Sequence, residues 1–302
     1  MTSTEERVGN WGRWGTEDER GALNLITPEA VRDAAHATRT GKVYPLALPI
    51  QREGVPIFEY RGAPQRLTLT SHADPDMYAM YGAAEGVGAN EDVLVLASHS
   101  ITHMDALCHV FAEHQIYNGY DAKGFTSHTG AARCGIEKTG AFAGRAVLLD
   151  LAAHAGVDWL EPGTSIGSDT LEACRAAQGV EVRAGDVLLV RTGWLDRFAS
   201  LASPADVGFA QPGLNLDAVA FIRDHDVAAV GSDNAAIEVI PFDQDIFLGV
   251  HIELLVKLGV TLIEHLQLST LAADRCYESL FMAAPLPVTG ATGSPLNPIC
   301  IG

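Results

Sequence analysis

A chain of 302 residues, 47% hydrophobic and 19% charged, has the composition of a globular protein with a sizeable core, and no apolar run reaches the roughly 20 residues that span a bilayer. Its net charge of −18 excludes nucleic acid, whose phosphates require a basic surface, and argues equally against an anionic membrane surface. Five cysteines, odd in number and without a CxxC pair, read as reduced and mostly buried thiols of a cytoplasmic protein, and the polar start MTSTEERVGNWGRWG lacks the apolar centre of a secretory signal.

About the first 25 residues form an N-terminal arm, in which Trp11 and Trp14 either cover a pocket or simply pack. TPEAVRDAAHATRTGK then reads as a helix, with Thr27 as its cap, Pro28 at its first position and Gly41 beyond its end. Residues 62–91 are polar and glycine-rich, the composition of a long irregular loop that could serve as a lid or binding element. Apolar runs bounded by glycine predict buried strands at DVLVLAS (92–98), GRAVLLD (144–150), GDVLLVRTG (185–193) and VAAVGSD (227–233). LDAVAFIRDHD (216–226) has helical spacing, as has GVHIELLVKLG (249–259), which ends at a glycine suited to a left-handed cap. The strand VTLIEHL (260–266) follows. No linker or repeat divides the chain, so the pattern predicts one α/β domain over residues 1–302.

Residues 98–111, SHSITHMDALCHVF, concentrate three of the eleven histidines and one aspartate. A helix would separate His103 from Asp105 by about 200°, and a straight strand would carry His99 roughly 20 Å from Asp105. The strand must therefore end near His99 and the chain bend there, which presents His103 and Asp105 beside it. Imidazole with carboxylate suits zinc, manganese or ferrous iron. The alternative is a set of hydrogen-bonded histidines, but an aspartate between Met104 and Ala106 is costly to bury unless paired or metal-bound. His109 lies on the apolar stretch CHVF, either as a core histidine or as a general base and acid beside activated water. TGATGSP (289–295) lacks the lysine of a phosphate loop, and no G-x-S-x-G elbow occurs.

HSITHMDALCH resembles the H-x-G-T-H-x-D-x-P-x-H signature of the metal-dependent cyclase superfamily, which includes bacterial kynurenine formamidase and isatin hydrolase. WGTEDERGALNLITPEAV (14–31), YNG (117–119), GDVLLVRTGW (185–194), GSDNAAIEVIP (231–241) and PLPVTGATGSPLNP (285–298) resemble the family's longer branch. Ile101 and Leu107 replace the signature glycine and proline, and Ile101 is bulky where glycine permits close approach. The resemblance implies a swivelling β/β/α-type domain around a mixed sheet and a homo-oligomer, dimer or tetramer. It also completes the metal site with His251 and Glu264, and Glu264 would be an expensive unpaired carboxylate in its apolar strand. His265 and Glu253 are assigned to solvent or to the surroundings of the ligands, since His265 has the opposite strand parity. Asp233 and Glu238 follow a strand end; Glu238 either contacts substrate, orients a ligand or is a solvated loop acid.

The candidate ligands are thus His99, His103, Asp105, His251 and Glu264, for one or two Mn²⁺ or Zn²⁺ ions, with His109 as the catalytic base. The function implied is metal-dependent hydrolysis of an amide, lactam or ester-type bond in a small, cyclic or aromatic substrate. Two alternatives use the same residues: a lyase, dehydratase or cyclising enzyme, and a ferrous oxygenase with two histidines and one carboxylate.

Overall fold

The computed structural model describes residues 9–201 and 208–302, so the first eight residues of the expected arm lie outside the described residues. Nine strands form one mixed sheet: β1 (Val43–Pro45), β2 (His103–Asp105), β3 (Phe142–Asp150), β4 (Val187–Arg191), β5 (Ala229–Ser232), β6 (Thr261–Glu264), β7 (Glu278–Ala283), β8 (Gly293–Pro295) and β9 (Ile299–Ile301). Their order is β1-β9-β7-β3-β4-β5-β6-β2-β8. Strands β3 to β6 run parallel, and the pairs on either side are antiparallel.

The four parallel strands are the predicted apolar runs. Leu148, Leu188, Val230 and Leu262 are buried, because strands covered on both faces need no polar alternation. Parallel neighbours require crossovers, and helices Ser168–Gln178, Ala218–Asp224 and the helical segment Gly249–Leu258 supply them. The last begins as an α-helical turn, Gly249–His251, widens into a π-helix, Ile252–Leu258, and stops at Gly259 with φ of +64°. A Cβ on Gly259 would lie 2.4 Å from the Tyr117 ring, so this position needs glycine both for its backbone angle and for space. The N-terminal helix is shorter than expected: Thr27 caps it by accepting the Ala30 amide, but it spans Pro28–Ala34 with a 3-10 turn to Ala37 and ends before Gly41 is reached.

Two expectations are corrected. DVLVLAS does not enter the main sheet: Glu91–Val95 is an exposed strand that pairs with Gln65–Thr70. An apolar run reads the same whether a fold covers it or not, so composition could not place it. The segment 62–91 is accordingly no irregular loop, for it contains the first strand of this ribbon and the helical turn Pro75–Ala79.

Residues 9–25 lie along the body. Asn10 donates to the Leu258 carbonyl, the Trp11 indole to the Val256 carbonyl, and Asp18 accepts from Tyr117 Oη. The outer strands of the main sheet both carry proline, Pro45 on β1 and Pro295 on β8. Among the described residues, no helix is long and apolar enough to cross a membrane, and no cysteine is in a disulfide.

Candidate metal centre

The chain turns after Val95, and Ile101 adopts φ of +57°, so the segment bends as the spacing of His99, His103 and Asp105 requires. It then enters β2 between β6 and β8. The register sets His103 opposite Glu264, and cross-strand partners share a face. His103 Nε2 consequently lies 3.1 Å from Glu264 Oε2 and 3.5 Å from Asp105 Oδ1. His99 approaches from the bend, its Nδ1 2.7 Å from Asp105 Oδ1, and its Nε2 faces Thr292 Oγ1 at 3.0 Å.

The π-helical segment delivers His251 from its N-terminal turn. His251 Nε2 is 3.8 Å from Asp105 Oδ2 and 3.6 Å from Glu264 Oε1. The five side chains named from the sequence therefore converge, all buried, as two overlapping triads that share Asp105: His99 with His103, and His251 with Glu264. His109 joins them differently. Its ring stacks on that of His99 with centroids 3.8 Å apart, and it lines a cavity of about 600 Å³ together with Thr292, Phe111, Tyr120, Phe125 and Lys123.

Two surrounding groups aim the imidazoles. The Ile101 carbonyl accepts from His103 Nδ1 at 2.7 Å and faces His265 Nδ1 at 3.0 Å, which leaves His103 Nε2 towards the carboxylates. Glu238 does the same for His251, with Oε1 2.5 Å from Nδ1, and also faces the backbone amides of Val250 and His251. Glu238 is thus not a solvated loop acid, for it is 1% exposed and bound to a ligand candidate. His265 is likewise buried rather than in solvent, stacked on Trp194, while Glu253 pairs outward with Lys257. Asp233 accepts from Thr192 and Gly193 and so pins a turn beside the site rather than reaching into it. Thr292 and the Ile101 carbonyl had no signal in the sequence, because only the docking of β8 and the bend at residue 101 set them against histidines.

Electrostatically the cluster forces its members into charged forms. Burial alone would raise the Asp105 carboxyl, yet His109, His99 and His103 hold it far below the usual range. Burial also opposes ionisation of Glu264, but His103 and His251 bring it down to about 2. His251 is lifted to about 10, since Glu238 and Glu264 outweigh its burial, and His103 is raised by Glu264 and Asp105 in the same way. Burial pushes His109 down to about 4, which keeps its imidazole neutral at pH 7.

The donor set fits a divalent cation. His103 Nε2 and Asp105 Oδ2 are buried without a hydrogen-bond partner, although each faces ionisable groups within 4 Å. Such atoms carry a desolvation cost that coordination would remove, and nitrogen with carboxylate oxygen suits zinc or manganese.

The Cyclase family model matches residues 44–239. No curated protein matches the sequence. A crystal structure described as a novel cyclase is 33% identical and superposes with a TM-score of 0.88 over 100% of both chains. Isatin hydrolase A from Labrenzia aggregata, bound to benzyl benzoate, is 19% identical, with a TM-score of 0.62 over 88% of this chain and 94% of that one. A protein from Bacillus stearothermophilus described as a predicted metal-dependent hydrolase is also 19% identical, with a TM-score of 0.53 over 86% and 97% of the two chains. The last two share the fold.

Proposed function

Because the chain belongs to the Cyclase family, we propose that it is a cytoplasmic metal-dependent hydrolase, which cleaves an amide, lactam or ester-type bond of a small cyclic or aromatic substrate. The observation that carries this reading is the buried pair of triads, with an unpartnered imidazole nitrogen and carboxylate oxygen, beside a cavity that His109 lines. His99, His103, Asp105, His251 and Glu264 would hold one or two Mn²⁺ or Zn²⁺ ions. Such an ion, when bound, polarises a carbonyl and acidifies a coordinated water.

The rest is the work of the chain. His109, neutral and facing the cavity, takes the proton of the attacking water at an imidazole nitrogen and returns it to the leaving nitrogen or oxygen. The His99 ring stacked on it limits its rotation, and Thr292 fixes His99 in turn. Phe111, Tyr120 and Phe125 give the cavity flat apolar walls suited to the ring of a cyclic or aromatic acyl compound.

The test is turnover of ester, lactam and N-acyl aromatic substrates before and after chelation. Activity should vanish with the metal and return with Mn²⁺ or Zn²⁺, and His109→Ala should keep the metal while losing about 100-fold or more in kcat. Activity indifferent to chelation would overturn the reading. Labelled solvent oxygen absent from the product would replace hydrolysis with a lyase or cyclising reaction on the same residues.

A further inference from the structure

The cavity that His109 lines has two chemically different ends. At the inner end stand His109 and Thr292, the latter with Oγ1 3.0 Å from His99 Nε2. At the outer end stand Phe111, Lys123 and Phe125, all exposed. Lys123 belongs to a 3-10 turn, Ala122–Gly124, whose start is fixed because Asp121 Oδ1 accepts the Lys123 amide at 2.9 Å. The Ala122 amide donates to the His114 carbonyl, and the Gly124 carbonyl accepts from the Ala132 amide, so the backbone that carries Lys123 is tied on both sides.

The two cations of the cavity are unequally satisfied. Arg133 bonds Glu17 and Glu19 at 3.0 and 3.1 Å and lies over the Tyr120 ring. Lys123, among the described residues, has no carboxylate within 4 Å of its ammonium. The chain has only four lysines, and Lys42 and Lys257 are both paired with acids, so an unpaired ammonium at the mouth of this cavity is not a consequence of abundance. We propose that Lys123 is a specificity-determining residue, which selects substrates that carry a carboxylate on the ring, at the end remote from the bond that is cleaved. The nature of that bond rests on the hydrolase reading, whereas the anion rests on the cavity alone.

The arrangement sorts a substrate by its two ends. A ring held among Phe111, Tyr120 and Phe125, with its acyl carbonyl at His109, directs its far substituents to the mouth, where Lys123 stands. An ammonium on a flexible stem is a compact charge that can follow an anion over a short range, so it does not require one exact substitution pattern. A monoanion is favoured over a phosphate dianion, because Asp121 lines the same mouth and Glu17 and Glu19 flank Arg133, and all three repel a second negative charge. In a chain of net charge −18, a neutral ring meets no such repulsion and gains nothing from Lys123, so the ammonium serves only a substrate that brings a charge of its own.

The test compares 4-acetoxybenzoate with its neutral isostere 4-acetoxybenzamide as substrates of the Mn²⁺-loaded full chain. The wild type should show a kcat/KM about tenfold higher for the carboxylate, and the preference should shrink as salt is raised. Lys123→Met should erase the preference, Lys123→Arg should keep most of it, and Lys138→Met, an exposed lysine outside the cavity, should keep all of it. Equal kcat/KM for the two esters in the wild type overturns the proposal, as does a preference that survives Lys123→Met. If neither ester is turned over, the failure belongs to the hydrolase reading, and binding then tests Lys123. The metal-free wild type should hold 2-naphthoate about tenfold more tightly than 2-naphthamide in a titration followed by naphthyl fluorescence. Lys123→Met should remove that difference, and equal affinities in the wild type overturn the proposal.

Discussion

At Glu238 one carboxylate serves the side chain and amide of His251 and the amide of Val250. It therefore keeps a proton on His251 Nδ1 and turns Nε2 towards Asp105 and Glu264, where a bound cation would displace the second proton and take the lone pair. Glu238→Ala should weaken divalent-metal affinity by about 10–100-fold, and Glu238→Gln, which keeps an acceptor, should recover part of the loss. Chelator competition reads the affinity, and imidazole ¹⁵N shifts read the tautomer; unchanged values in Glu238→Ala would refute the role. The cluster 99–105 is visible in the sequence because one short segment holds its histidines and its aspartate. Glu264 is visible because a carboxylate in VTLIEHL is costly unless paired. Glu238 reads as an ordinary loop acid, since its partner lies thirteen residues on and only the turn of the 249–258 segment brings the two together.

Among the elements, the helical segment Gly249–Leu258 matters most for the site, because its first turn carries His251 and its end is set by Gly259. Ala at Gly259 must adopt φ of +64° and displace the Tyr117 ring, a combination that costs about 2–4 kcal/mol. At Gly179, which caps Ser168–Gln178 with φ of +68°, a Cβ meets nothing within 4 Å, so Gly179→Ala should cost only the backbone term of about 1–2 kcal/mol. Denaturant unfolding of the two variants checks the contrast, and equal losses would deny the Tyr117 contact its weight. The capped ends and the apolar runs of β3 to β6 follow from local chemistry and were readable as such. The exposed ribbon was not, because VLV looks the same in sequence whether the fold covers it or leaves it on the surface.

Across the whole molecule the five cysteines are dispersed and unpaired, and burial governs their reactivity. Burial pushes the Cys108, Cys174 and Cys300 thiols up to about 12, and Cys134 is raised further by the same cause. A raised thiol pKa means less thiolate, so at pH 8 these groups should react with a disulfide reagent about a thousandfold more slowly than free cysteine. The rate should climb about tenfold per pH unit towards 12, as long as the fold holds, and denaturant should release all five thiols at once. Fast reaction of more than one thiol in the native protein at pH 8 would contradict the packing described.

The nine-stranded sheet is bounded by β1 and β8. Each ends in an imino acid, Pro45 and Pro295, that has no N–H to offer an incoming chain. Each therefore offers one donor fewer to an incoming strand, which disfavours extension of the central sheet at either rim.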